Sequence, residues 1–172
     1  ILNSADIYYS NSVIENVLAY FYKNTAVQWA SGNIFMKRAG IWVNIGVPFD
    51  AGQLYKGMRA VSHPTWFLKK DLYNKVGNFS LDFKIAMDYD LMCRLQKEPY
   101  GYMNETIVQF DDGGVSTNQY LDSLKENVKV YESHFGFSMA ARAWQCRLSL
   151  LYYLLQSKFG KFLYAIKASN LK

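Results

Sequence analysis

Cysteine is scarce: Cys93 and Cys146 are the only two in 172 residues, too few for a disulfide scaffold and without metal-ligand spacing. Each stands in an apolar, helical-looking stretch, so buried free thiols and a reducing compartment are expected. Proline occurs three times, no Gly-rich phosphate loop is present, and there is no internal repeat or low-complexity segment. The longest uncharged run of the C-terminal stretch, Leu148 to Ser157, is far shorter than the roughly 20 residues of a bilayer crossing. The first residues, Ile1-Leu2-Asn3-Ser4, carry neither an initiator Met nor a signal-peptide pattern, and the chain reads as a piece of a longer one. These absences argue against a disulfide-knotted domain, a P-loop domain and a membrane-spanning helix.

What remains is a folding sequence, 51% hydrophobic and 19% charged, of a length that can bury a real core. Aromatics make up 17%, including 14 Tyr and 11 Phe; such rings suit a sugar-stacking groove and fill cores equally well. The net charge of +5 is unevenly placed. Residues 1–116 hold 11 Lys/Arg against 11 Asp/Glu, whereas from Thr117 onward eight basic residues face only Asp122, Glu126 and Glu132. All of the excess therefore lies in the tail, where charge alone admits nucleic acid or an anionic membrane surface.

Strands mixed with helices predict an α/β or α+β fold. Ala5 to Ser10 has strand character and ends in the turn-forming Ser10-Asn11-Ser12. Residues 13–53 alternate short apolar runs with Asn, Gly and Pro, as in an irregular hairpin. Val61 to Leu68 reads as a strand interrupted by Pro64. Lys70 to Val76 reads as a short helix stopped by Gly77, and Met87 to Gln96 as another ended by Pro99 and Gly101. Thr106 to Phe110 is a predicted strand. Beyond the Asp111-Asp112-Gly113-Gly114 loop, Leu121, Leu124, Val128, Tyr131 and Phe135 mark one apolar helix face, with Thr117 or Asn118 as N-cap. Met139 to Leu171 reads as helical, broken at Gly160.

Two carboxylates, Asp88 and Asp90, open the helix that begins at Met87. Residues two apart do not face each other along a helix. With Asp90 in the first turn against the positive helix end, Asp88 can point outward as an ionised proton acceptor. The competing reading is helix capping plus a partner for Arg94. His63, fixed in extended or turn backbone by Pro64, is structural or functional on the sequence alone. Asp111 to Ser116 is either an ion- or phosphate-binding loop or a tight turn before a helix.

The order of Leu54-Tyr55-Lys56-Gly57-Met58, Ser62-His63-Pro64-Thr65, Leu72 to Phe79, Asp82 to Leu91 and Gly113-Gly114-Val115-Ser116 resembles the C-terminal half of bacterial family-2 glycosyltransferases of the GT-A fold. The likeness covers roughly residues 5–117. It implies an incomplete GT-A-like mixed sheet with flanking helices over 1–117, the acceptor-side half of the catalytic domain, followed by a helical region over 118–172. It also implies that Asp88 is the catalytic base, with Met87 standing where many relatives carry Glu, so that Asp90 completes the acidic pair. By the same resemblance His63 and Trp66 line the acceptor side, Trp66 as a sugar-stacking platform, and the loop of Gly113, Gly114 and Ser116 closes over the site. Ala5 to Tyr9 resembles the strand after the family's metal-binding DxD motif. The donor-binding half and that motif have no equivalent here, so the ligands of the implied divalent cation (Mg²⁺ or Mn²⁺) lie mainly in the absent half, and no metal residue is assigned in this chain.

In the complete enzyme the resemblance implies inverting transfer from a nucleotide-sugar donor to a polysaccharide or lipid-linked glycan acceptor, with no nucleic-acid partner. It implies a cytoplasmic location, peripheral at the inner face of the plasma membrane. The alternative is a non-catalytic glycan-binding or membrane-surface module. The basic tail either rests on an anionic membrane or packs over the domain's own sheet. An exposed edge in the incomplete sheet invites a homodimer.

Overall fold

The computed structural model describes residues 7–38, 40–58, 61–110, 119–157 and 160. They form one open mixed sheet with helices on both faces, the α/β architecture expected from the sequence. The strands are β1 (Ile7–Tyr8), β2 (Trp29–Arg38), β3 (Ile41–Ile45), β4 (Phe67–Leu68) and β5 (Tyr100–Phe110). The helices are α1 (Val13–Lys23), α2 (Lys70–Val76), α3 (Met87–Arg94), α4 (Tyr120–Phe135) and α5 (Met139–Gln156), with 3₁₀ turns at Ala51–Lys56 and His63–Thr65. Strand order is β1-β5-β2-β3, and β4 pairs with the start of β2. Only β2 and β5 run parallel, in a register from Trp29 opposite Tyr100 to Met36 opposite Phe110.

The period-two alternation of a strand divides the core. Trp29 and Ala30 are adjacent on β2 and fully buried, yet belong to different clusters. Ala30, Ile34, Met103 and Val108 face α1, which contributes Val13 and Val17. Trp29 faces the opposite layer, with Leu54, Trp66, Leu72, Tyr89, Leu91 and Met92.

Several sequence expectations need correction. Residues 13–23 form helix α1, not the first arm of a hairpin; the hairpin is β2–β3, paired from Ile34 opposite Ile45 to Arg38 opposite Ile41. Around Pro64 the expected strand shrinks to β4, because Pro64 starts a 3₁₀ turn closed by the Thr65 hydroxyl donating to the Ser62 carbonyl at 2.8 Å. Helix α3 ends at Arg94, and Gly101 is a strand residue; a Cβ there would collide with the Tyr20 ring. Gln119 occupies the N-cap position of α4 without a side-chain cap bond; Thr117 and Asn118 lie outside the described residues. Helix α5 stops at Gln156, before Gly160, and packs against α4 and the Ala51–Lys56 turn; residues 161–172 of the expected helical tail lie outside the described residues. Cys93 is buried as expected, with burial pushing its thiol up to about 12, whereas Cys146 is exposed. The expected glycine stop does hold: Gly77 ends α2 at φ +84°, a backbone region that favours glycine.

Candidate active site

The sheet and helices meet around the N-terminus of α3. The loop before it is pinned by Glu126 of α4, whose carboxylate accepts backbone N–H bonds from Lys84 (3.2 Å), Ile85 (2.8 Å) and Ala86 (2.9 Å). Partial burial would raise this carboxyl, but the three amide donors outweigh it and hold it below its ordinary range. One turn on, Tyr89 is buried and its hydroxyl donates to the Leu54 carbonyl, tying α3 to the 3₁₀ turn. Both flanks of Asp88 are thereby fixed.

Asp88 and Asp90 have opposite surroundings. Asp90 is only 5% exposed and both its oxygens are engaged. Oδ2 accepts from Arg94 Nη2 at 2.8 Å and Nε at 3.1 Å, and Oδ1 lies 2.8 Å from His134 Nε2 on α4. Arg94 in turn donates to the carbonyls of Val76, Gly77 and Asn78, so the network laces α2, α3 and α4 together. Asp90 therefore takes the structural role, that of Arg94's partner. This does not suit it to accept a substrate proton, because a buried, doubly bonded carboxylate has no free lone pair facing solvent.

Asp88 is half-buried and forms no ion pair among the described residues. Its Oδ1 accepts the Tyr89 N–H at 2.8 Å. Burial raises its carboxyl from 3.8 to about 6, against the opposing pull of the Tyr89 and Asp88 amides. Poised near neutrality, ionised at pH 7 and without an ion-pair partner among the described residues, it has the attributes of a general base.

The other expected site residues are placed differently. His63 is half-buried and makes ring contacts with Trp66 (5.2 Å) and Phe79 (5.6 Å), not with Asp88. Burial lowers its imidazole from 6.5 to about 4, so it is neutral at pH 7. Trp66 is 3% exposed and packs edge-on against Trp29 at 5.7 Å. It is a core residue, so the sugar-stacking platform expected of it is not offered by this ring, both faces of which are covered. Gly113, Gly114 and Ser116 lie outside the described residues. A cleft of ≈ 280 Å³ opens beside the site, under the 47–50 loop, with Leu54, Met58, Val61 and Met92 on its apolar wall and Asp50 and Gln53 at its edge. Asp88 is not among its lining residues.

Glu126 and His134 are the participants that sequence reasoning missed. Both lie on α4 about 40 residues from their partners, the 84–86 backbone amides and Asp90, and no local spacing marks them. Among the described residues no group of three or more His, Cys, Asp or Glu is arranged to hold a metal ion. Compared with known families and with curated proteins, the chain matches no family model and no curated sequence.

Proposed function

We propose that the chain is the acceptor-side half of an inverting family-2-like glycosyltransferase, with Asp88 as its catalytic base. One observation carries the reading: of two acids two residues apart, Asp90 is held by Arg94 and His134, while Asp88 has no ion-pair partner among the described residues and is raised to about 6. The ordered motifs around it, from Leu54 to Leu91, supply the resemblance that names the chemistry.

In this mechanism an acceptor hydroxyl gives its proton to the free Asp88 oxygen as that hydroxyl oxygen bonds to the anomeric carbon. The bond from that carbon to the donor's diphosphate breaks on the opposite face, and the diphosphate leaves with the electron pair. Glu126 and Tyr89 hold the start of α3, so the base is positioned before the acceptor arrives. The divalent cation that the resemblance implies has no matching ligand group among the described residues, and no step is assigned to it.

The test uses the polypeptide that joins this chain to the residues its gene encodes ahead of Ile1. A βαβ segment ending in a DxD motif is expected there. Sugar transfer from nucleotide-sugar donors is then measured for wild type and Asp88→Asn. The substitution is expected to cut turnover by about 10²–10⁴-fold, the usual worth of a positioned base. Wild-type turnover is expected to rise with pH through about 6, as the carboxyl ionises. Undiminished transfer by Asp88→Asn would overturn the assignment and favour a glycan-binding module.

A further inference from the structure

Helix α5 is apolar on two sides. Its inner side is anchored on the domain: Ala141 and Gln145 are buried, the Trp144 ring meets Tyr55 at 6.4 Å, and Tyr152 meets Tyr120 at 5.3 Å. The other side carries Met139, Ala143, Cys146, Leu150 and Leu154 at spacings of four, three, four and four, which align them in one stripe. Met139 is 68% exposed, Leu150 65% and Leu154 46%, with Tyr153 beside them at 60%. A helix apolar all round is normally covered all round, and a contiguous exposed apolar surface marks a place of interaction.

Charge identifies what covers it. From Ser133 to Lys172 there is no Asp or Glu, while Arg142, Arg147, Lys158, Lys161, Lys167 and Lys172 are all cationic. Arg142 is neutralised by Glu132 at 2.7 Å. Arg147 is exposed, stacked on Trp144 at 4.9 Å, and forms no ion pair among the described residues. A second copy docked on the same stripe would set Arg147 against its own like, with no Asp or Glu on α5 itself to meet it. Nucleic acid would satisfy the charge but leave the leucines in water. An anionic bilayer supplies both an acyl boundary for the leucines and phosphates for the arginine. No helix among the described residues is long and apolar enough to cross a membrane, so contact is along the surface.

We propose that the outward stripe of α5, from Met139 to Leu154 with Arg147 at its rim, is a docking surface for an anionic lipid bilayer. The helix lies flat on the bilayer, leucines turned into the acyl boundary. This does not depend on the transferase reading; either stands if the other fails.

The test is co-sedimentation of the 172-residue chain with vesicles of equimolar phosphatidylglycerol and phosphatidylcholine, and with phosphatidylcholine alone. Binding to the anionic vesicles is expected to be stronger by about tenfold or more, and to weaken as salt is added. The double variant Leu150→Gln/Leu154→Gln, changed only at exposed positions and checked for an unaltered circular dichroism spectrum, is expected to lose about tenfold or more of that binding. Arg147→Gln is expected to lose a few-fold. Absent binding, equal binding to neutral vesicles, or an unaffected double variant overturns the proposal. So does a dimer, seen by light scattering, that the double variant dissolves while vesicle binding is absent; that outcome makes a second copy the occupant.

Discussion

The neighbourhood of α3 and the outer side of α5 use the same kinds of residue in opposite ways. Around α3 the apolar side chains turn inward, from Tyr89 to Cys93, and Asp90, Arg94, Glu126 and His134 each find a partner. Along α5 the leucines turn outward, and among the described residues Arg147 has no acid to meet. The first pattern is that of a structure completed within the chain, the second that of a surface completed by something else. Asp88 stands out because it breaks the first pattern: among the described residues it has no ion-pair partner, in a region where its charged neighbours are paired.

The comparison breaks most visibly if the α3 network is dispensable. Arg94→Ala removes the guanidinium from a nearly buried carboxylate and frees three carbonyls. A loss of about 3–5 kcal/mol in urea unfolding is expected, because the Asp90 charge is left with His134 alone. A change under about 1 kcal/mol would show that the network is incidental.

Asp88→Asn should act in the opposite direction. A carboxyl whose folded value is about 6 against an ordinary 3.8 binds protons more tightly folded than unfolded. Stability therefore falls as pH rises through this window, and the penalty is fully in place above it. The substitution is expected to stabilise the chain by about 2 kcal/mol at pH 7, and to have no effect near pH 3, where both forms are neutral. A pH-independent effect would show that Asp88 is ordinary surface.

The smallest effect sharpens the other side. Leu150→Gln is expected to change folding stability by no more than about 0.5 kcal/mol, since its side chain already stands in water. A loss above about 2 kcal/mol would show the outer side of α5 to be core after all.

The sequence made the short, locally determined features legible. Helices α2 and α4 carry one-sided patterns and end on glycines at positive φ, Gly77 and Gly136. Helix α1 was missed although Val13, Ile14, Val17, Leu18 and Phe21 recur at helical spacing on one side, with Val13 and Val17 buried against the sheet. The Asn, Gly and Pro scattered over residues 24–53 hid that pattern. Gly32, within the 13–53 segment that reads as irregular, is a strand residue where Ile107 and the Glu105 carbonyl come too close for a Cβ. That crowding is set by a strand some 75 residues away. The candidate site divides the same way. The acidic pair and Arg94 were visible at fixed spacing, but Glu126, His134 and the burial of Trp66 depend on tertiary contacts that leave no local trace.

The position of β5 in the sheet has a consequence for how the chain is made. This strand sits between β1 and β2, pairing Gln109 with Ile7 on one side and Tyr100 with Trp29 on the other. It is nevertheless the last of the five to be synthesised. Until Phe110 clears the ribosome, β1 has no partner among the described strands and β2 holds only its hairpin mate and the two residues of β4. Such late, long-range closure is slow and leaves unpaired edges open to other nascent chains. The yield of soluble protein should accordingly depend on how quickly translation passes from Arg94 to Phe110.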